Sequence, residues 1–346
     1  MIIVDSHTHI RDIENNSASL YALAKRLNYS QLTVASLQCA GDLTQNLTCA
    51  LCKLTHPGMT YAFGGLDYAT GRDFASQAES LRAMGFDGVK MLEGKPTTRR
   101  MLGKALCDPQ YDEYYSFLEA TGFPVLLHVA DPPEFWDKDK VPDWAVEHGW
   151  FYNENDVPYA QYYDEVEALL AKHPKLRATF AHFFFLSGEP EHAQRFLDAH
   201  PLVSIDITAG VEMYENFSLN PPLWREFFIK NSDRIIFGTD SSDAPDDGEA
   251  ASDDVDISGY AAMEIAFLRD DREIEIYGKR LHGLGLPDEA LRRIFSENFH
   301  RLVGQEPRPM DAHALTNEAK FIRAYIKNTE EAKKLDCLVA RLARIK

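Results

Sequence analysis

Eight short apolar runs recur along the chain, and each of the first seven is followed by a helical pattern before the next begins. The runs are Ile2–Asp5, Leu32–Leu37, Tyr61–Gly64, Gly88–Leu92, Val125–His128, Ala178–His182, Val203–Ile207 and Ile235–Gly238. Between them stand segments of roughly ten or more residues with apolar side chains at helical spacing, such as Ser19–Leu27, Leu43–Leu54, Phe74–Met84, Tyr111–Ala120 and Tyr162–His173. Asp42 and Asp108 suit helix N-caps, and Pro109 suits a first helical position. Two parallel strands need a crossover between them, so this alternation implies a parallel sheet. Eight repeats of it imply an α/β fold, the closed (β/α)8 TIM barrel, which takes about 250 residues.

The chain has 346 residues, and the surplus falls in two places. Residues 131–160, after the fifth run, are too long for an ordinary strand-to-helix loop and hold Phe135, Trp136, Trp144, Trp150, Phe151, Tyr152 and Tyr159. Such a segment is either a lid-like insertion over the barrel mouth or a small satellite core or subunit contact. After Gly304 a proline-containing link leads into residues 305–346. There Leu335, Leu338, Val339, Leu342 and Ile345 form one apolar stripe. That C-terminal helical extension is expected to pack on the barrel of residues 1–304 or on a partner subunit.

Polar residues cluster where the runs end. Asp5, His7 and His9 alternate along the first run, so they share one face. The fifth run ends in His128, the sixth in His182 and the eighth leads into Asp240, while Lys90 interrupts the apolar fourth. Each has an ordinary explanation alone: a satisfied core histidine, a helix-capping aspartate, an outward lysine. Together they all fall at one end of a barrel, the end where chemistry is found. Three histidines and a carboxylate suit Zn²⁺ or another borderline divalent ion, with a position left for water.

Lys and Arg number 36 against 54 Asp and Glu, a net charge of −18. That balance argues against nucleic acid and anionic membranes as partners, because phosphate binding needs basic patches. Seven of the acids fall between Asp243 and Asp256 and are read as a solvated loop. The five cysteines form no second pair with Cys49 and Cys52, so they are read as reduced thiols of a cytoplasmic protein. No leader precedes the first run, and no apolar run approaches the roughly 18 residues of a membrane span.

The motifs Asp5-Ser6-His7-Thr8-His9, Gly85–Leu92, Leu127-His128, Ala181-His182 and Phe237-Gly238-Thr239-Asp240, with the closing segment Ile294–Gly304, resemble the amidohydrolase superfamily of metal-dependent barrel hydrolases. The branch that includes the amino-carboxymuconate-semialdehyde decarboxylase type is the most similar. The resemblance spans residues 1–304; it is specific for the superfamily and unspecific for substrate. It implies His7, His9, His128 and Asp240 as metal ligands and His182 as the histidine that contacts substrate. It also implies one divalent ion, Zn²⁺ with Mn²⁺ as the alternative. A second ion, held with Lys90 and His182, is implied only if Lys90 is carboxylated; otherwise Lys90 faces a substrate carboxylate or a nearby acid. Related barrel nucleases usually carry a Glu on the fourth strand, whereas Glu93 lies three residues from Lys90 and on the opposite face of a regular strand.

Two reactions fit this ligand set. In hydrolysis of a small amide, lactone or ester, Asp240 accepts the proton of the attacking water and His182 donates to the carbonyl oxygen. In decarboxylation of a small unsaturated or aromatic acid, Asp240 and His182 deliver a proton to carbon. Arg11 and Lys90 then suit the carboxylate, Trp136 a flat substrate, and Glu212 substrate selection, while the plainer readings are a surface salt bridge of Arg11 with Asp12 or Glu14 and a surface role for Glu212. A non-catalytic binding barrel is the third expectation. The resemblance and the apolar tail suggest a homodimer acting on a small molecule.

Overall fold

The computed structural model describes residues 1–10, 17–208, 210–243, 257–276 and 278–345. Its strands are β1 (Val4–His9), β2 (Gln31–Ala35), β3 (Thr60–Gly64), β4 (Gly88–Gly94), β5 (Val125–Val129), β6 (Ala178–Phe180), β7 (Ser204–Asp206), β8 (Ile235–Ile236), β9 (Ser241–Ser242), β10 (Glu273–Ile276) and β11 (Lys279–His282). From β1 to β8, helix separates every strand from the next. Among the described residues no helix is long and apolar enough to cross a membrane. The chain divides into two units, Met1–Thr33 with Thr179–Gln305, and Val34–Ala178 with Glu306–Lys346.

In the first unit β6, β7 and β8 pair in parallel, with Phe180 beside Ile205 and Asp206 beside Ile236. The eighth run does not continue as one strand. After Ile236 the backbone bends, Asp240 takes a left-handed φ of 55°, and β9 pairs in parallel with β1, Ser241 beside Thr8. Close packing forces the bend. A Cβ on Gly238 would sit 2.8 Å from Cγ2 of Thr208, 2.9 Å from Oγ of Ser6 and 3.0 Å from Cβ of His7, so only glycine fits there. The Glu273–His282 segment adds an antiparallel hairpin, β10 with β11, that the eight-run pattern did not contain. Its Glu-Ile-Glu-Ile alternation is a strand signal too short to separate from helix by periodicity alone.

The sixth run also ends earlier than expected. Strand pairing stops at Phe180, and His182, Phe183, Phe184 and Phe185 all take left-handed φ values between 52° and 58°. For residues with a Cβ that conformation costs roughly 1–2 kcal/mol each. Burial supplies a compensating term of the same order, about 1.5–3 kcal/mol for each fully buried large apolar side chain. Phe183 packs on Phe217 and Phe228, and Phe184 on Phe180 and Phe196.

In the second unit β3, β4 and β5 pair in parallel. Along β4 and β5 the register runs Lys90 beside Leu126 and Met91 beside Leu127, then Gly94 beside Val129, so β4 carries one extra residue between them. This bulge reverses the alternation and returns Glu93 to the face of Lys90 and His128, correcting the expectation that Glu93 points away.

The 131–160 insertion carries its own small core of Phe135, Ala145 and Tyr152, with Trp136, Val141 and Trp150 packed against it. Asp131 anchors it. Its carboxylate accepts from Tyr152 Oη at 2.5 Å and Lys95 Nζ at 2.9 Å, while Lys95 lies 4.3 Å above the Trp150 ring. The helices Ala312–Arg323 and Thr329–Leu342 pack on the helices Gln45–Thr55 and Phe74–Met84 of their own unit, burying Leu335, Leu338 and Leu342 while Val339 stays exposed. Arg72 pairs in bidentate fashion with Glu318, at 2.5 and 2.9 Å.

A buried ion pair ties the start of this extension to the unit's core. Lys53 Nζ lies 2.5 Å from Asp87 Oδ2 and donates to the Gly85 carbonyl; Asp87 also accepts from the amides of Ala62 and Arg308, at 2.8 Å each. Lys53→Met would leave the Asp87 charge buried without its cation. The variant is expected to lose about 3–5 kcal/mol of stability, read as a lower urea midpoint; an unchanged midpoint would show that the pair contributes nothing net.

Candidate metal centre

Within the first unit the ends of β1 and the β8–β9 bend bring three acceptor groups together. His7 Nε2 is 3.4 Å and His9 Nε2 2.9 Å from Asp240 Oδ1, and one ligand atom from each residue falls within 4.8 Å of the others. The two imidazoles meet edge to face, 5.1 Å between centroids. His182 stands at the margin of the group, with Nε2 4.0 Å from Asp240 Oδ2. Burial alone would raise the Asp240 carboxyl. The charges of His7, His9 and His182 and the hydrogen bond from His9 outweigh it and hold the group well below the usual carboxylate range.

The surrounding hydrogen bonds decide which atoms face inward. His7 Nδ1 is 3.0 Å from Asp206 Oδ2. Asp206 has no exposure, and despite burial the hydrogen bond and charge of His7 keep its carboxyl below the ordinary value. An ionised carboxylate only accepts, so Nδ1 carries a proton and Nε2 is the nitrogen turned towards Asp240. A divalent cation seated there would take the place of a proton between Nε2 and the Asp240 carboxylate, and carboxylate–histidine pairing of this kind orients metal ligands. The donor set therefore fits a divalent ion. Asp240 is set by its own backbone: its amide donates to the His7 carbonyl at 2.8 Å. One residue earlier, Thr239 donates to both oxygens of Asp5. Burial pushes the Asp5 carboxyl up to about 7 in spite of those bonds.

Two features of this unit were missed in the sequence. Thr208 links Asp206 to His182, donating Oγ1–H to Asp206 Oδ1 at 2.7 Å and standing 3.1 Å from His182 Nδ1. Its place just past the seventh run, two residues beyond Asp206, was the available signal. Glu264, on the helix Ile257–Arg269, is fully buried, and its Oε2 has no partner among the described residues. Burial and repulsion from Asp5, Asp206 and Asp240 push its carboxyl well above the ordinary range. Its place as the one charged residue in the apolar run Tyr260–Leu268 was the available signal. Glu212, half-buried on the helix Val211–Leu219, folds its carboxylate back over Gly210.

The second unit holds the other candidates. His128, on β5, has Nε2 3.2 Å from Asp131 Oδ1; burial opposes ionisation of Asp131, but Lys95 and His128 hold it well below the usual range. Lys90 is buried on β4. Glu93 accepts from Tyr68 at 2.8 Å, and burial raises it to about 7 against that bond and the charge of Lys90. Trp136 is engaged inside the insertion: its ring lies 4.5 Å from that of Tyr152, and Nε1 donates to the Val157 carbonyl at 3.0 Å. Arg11 and most of the acidic 243–256 segment lie outside the described residues.

A family model described as amidohydrolase matches residues 4–305. No curated protein sequence matches the chain. Among solved structures, a protein assigned as a 2-pyrone-4,6-dicarboxylic acid hydrolase from Acinetobacter baumannii is similar at 13% identity and TM-score 0.56, covering 88% of this chain and 100% of that one. A TIM-barrel protein from Bordetella bronchiseptica is similar at 14% identity and TM-score 0.55, covering 88% and 99%. A 2,6-dihydroxybenzoate decarboxylase from Rhizobium is similar at 15% identity and TM-score 0.52, covering 88% and 98%. These likenesses show the fold: a (β/α)8 barrel.

Two outcomes are expected. The double replacement His7→Ala with His9→Ala should remove stoichiometric divalent metal from the purified protein; metal retained at the wild-type level would sink the assignment. Glu93 is raised from 4.5 to about 7 in the folded state, so the stability it contributes is complete below pH 4.5 and lost as the pH rises through 7. Glu93→Gln should therefore gain about 3 kcal/mol on wild type between pH 4 and pH 8. Parallel denaturation curves at the two pH values would contradict the shift.

Proposed function

Because the chain belongs to the amidohydrolase family, we propose that it is a metal-dependent hydrolase that adds water to a small amide, lactone or ester. The observation that carries the reading is the convergence of His7, His9 and Asp240 on one point, with His182 beside it. His7, His9 and Asp240 would hold one divalent ion. The nitrogen and oxygen donor set suits Zn²⁺ and, second, Mn²⁺. When bound, such an ion supplies the Lewis acidity that makes water acidic and a carbonyl electrophilic.

The protein's own groups do the rest. Asp240, kept ionised by its histidine neighbours, accepts the proton of the attacking water and returns it to the leaving group. The Nδ1 of His182 lies 3.3 Å from the Thr208 carbonyl, which can only accept, so that nitrogen bears the proton. His182 then works through Nε2, and in its doubly protonated form it donates to the oxygen on which negative charge develops. Lys90, unmodified beside Glu93, is a buried cation for a substrate carboxylate, with Arg11 and Glu212 as further substrate contacts.

That buried cation also supports a second reading, decarboxylation of a small unsaturated or aromatic acid, with Asp240 and His182 passing a proton to carbon. The likeness to the Rhizobium decarboxylase favours including it. No disulfide joins any of the five cysteines, which suits the cytoplasm. The net charge of −18 suits a small-molecule substrate rather than nucleic acid or a membrane. Leu219 and Leu223, both exposed, offer apolar surface to a second copy in a homodimer.

Protein purified without chelator should carry about one divalent ion per chain, as a site with one open position requires. A screen of lactones, amides and aromatic acids should then find turnover that falls about 10²–10⁴-fold in Asp240→Asn, the range for loss of a general acid–base group. The variant's circular dichroism should match wild type. Undiminished turnover would remove Asp240 from its proton role.

A further inference from the structure

We propose that Asp206 is a positioning residue that sets the tautomers of both His7 and His182 with a single carboxylate. The proposal rests on the metal-centre reading above and extends it to the residues behind the ligands. Asp206 meets four donors. Oδ2 accepts from His7 Nδ1 at 3.0 Å, while Oδ1 accepts from the His182 amide at 2.8 Å, the Thr208 amide at 3.2 Å and the Thr208 hydroxyl at 2.7 Å.

A proton inventory follows from these contacts. A carboxylate has no proton to give, so His7 must donate from Nδ1. Thr208 has one hydroxyl proton, and the shortest of its contacts directs it to Asp206. Its oxygen is then an acceptor for His182 Nδ1 at 3.1 Å, as is its carbonyl at 3.3 Å. His182 must therefore also donate from Nδ1. Both imidazoles turn Nε2 towards Asp240, His7 directly to Oδ1 and His182 to Oδ2. The same carboxylate holds the His182 amide, the first residue of the left-handed turn, so it sets the ring's position as well as its proton.

Asp206→Asn nearly preserves shape but replaces one acceptor oxygen with a donor. If the amide oxygen stays with His182 and Thr208, the NH₂ group faces His7 Nδ1, which must give up its proton and leave Nε2 as N–H. The lone pair for metal is then lost. Two measurements test this on the full-length chain. The first is long-range ¹H–¹⁵N correlation on histidine-labelled, metal-free wild type, with signals assigned by single His→Gln variants. Both His7 and His182 are expected to carry a proton on Nδ1; a neutral ring with its only proton on Nε2 at either position overturns the proposal. This measurement needs no activity and does not depend on the folding of Asp206→Asn.

The second is Zn²⁺ affinity of wild type and Asp206→Asn by competition with a chromophoric chelator. The variant should bind about 10–100-fold more weakly, the usual effect of losing a partner behind a ligand, and His7 should appear as Nε2–H. Equal affinity with an unchanged His7 signal would overturn the proposal. Wild type that binds no Zn²⁺ would defeat the metal-centre reading instead, while the tautomers of the metal-free protein would still decide the role of Asp206.

Discussion

A carboxylate withdrawn from water must be met by donors or lose its charge, and the first unit withdraws several at once. Asp5, Asp206 and Glu264 have no exposure, and Asp240 retains only partial access. They settle that demand in different ways. Asp206 and Asp240 keep their charge because imidazoles surround them. Asp5 takes three hydrogen bonds from Thr239 and the His7 amide and sits near neutrality in pH. Glu264 has a single tyrosine contact, with Tyr214 at 3.1 Å, and is driven towards its neutral acid. A divalent cation among His7, His9 and Asp240 would add the positive charge this acidic interior calls for.

The backbone accepts strain to place these groups. Asp240 and the four residues from His182 lie in the left-handed region without being glycine. Such conformations persist where the surroundings over-determine them, and they gather at functional sites. Here the surroundings are identifiable. Phe183 and Phe184 are pinned by aromatic neighbours, the His182 amide by Asp206, and the Asp240 amide by the His7 carbonyl. The aromatic run after His182 thus has a mechanical role in presenting the imidazole.

The second unit shows the same economy in another form. One extra residue in β4 moves Glu93 onto the face of Lys90, so a buried amine and a buried acid share one face of the sheet. Asp131 joins the insertion to the strand that carries His128. The aromatic residues of the insertion pack mainly on one another, because indole and phenol rings with protein partners are more stable than rings left open to water.

Local pattern determined much of this protein. Alternation at a period of two placed His7 and His9 on one face, and alternation of strand with helix specified the barrel. The strand-end positions of His182 and Asp240 were legible because a parallel barrel collects such ends at one mouth. Asp206 was legible only as an acidic residue inside the seventh run. The remainder depended on contacts between residues far apart in the chain. No local rule predicts that Gly238 must clear Thr208, Ser6 and His7, or that a bulge reverses the face of Glu93. Nor could the sequence state which nitrogen of His7 bears the proton. That is decided by a carboxylate 199 residues away, because a tautomer is set by the hydrogen-bond partner that tertiary structure supplies.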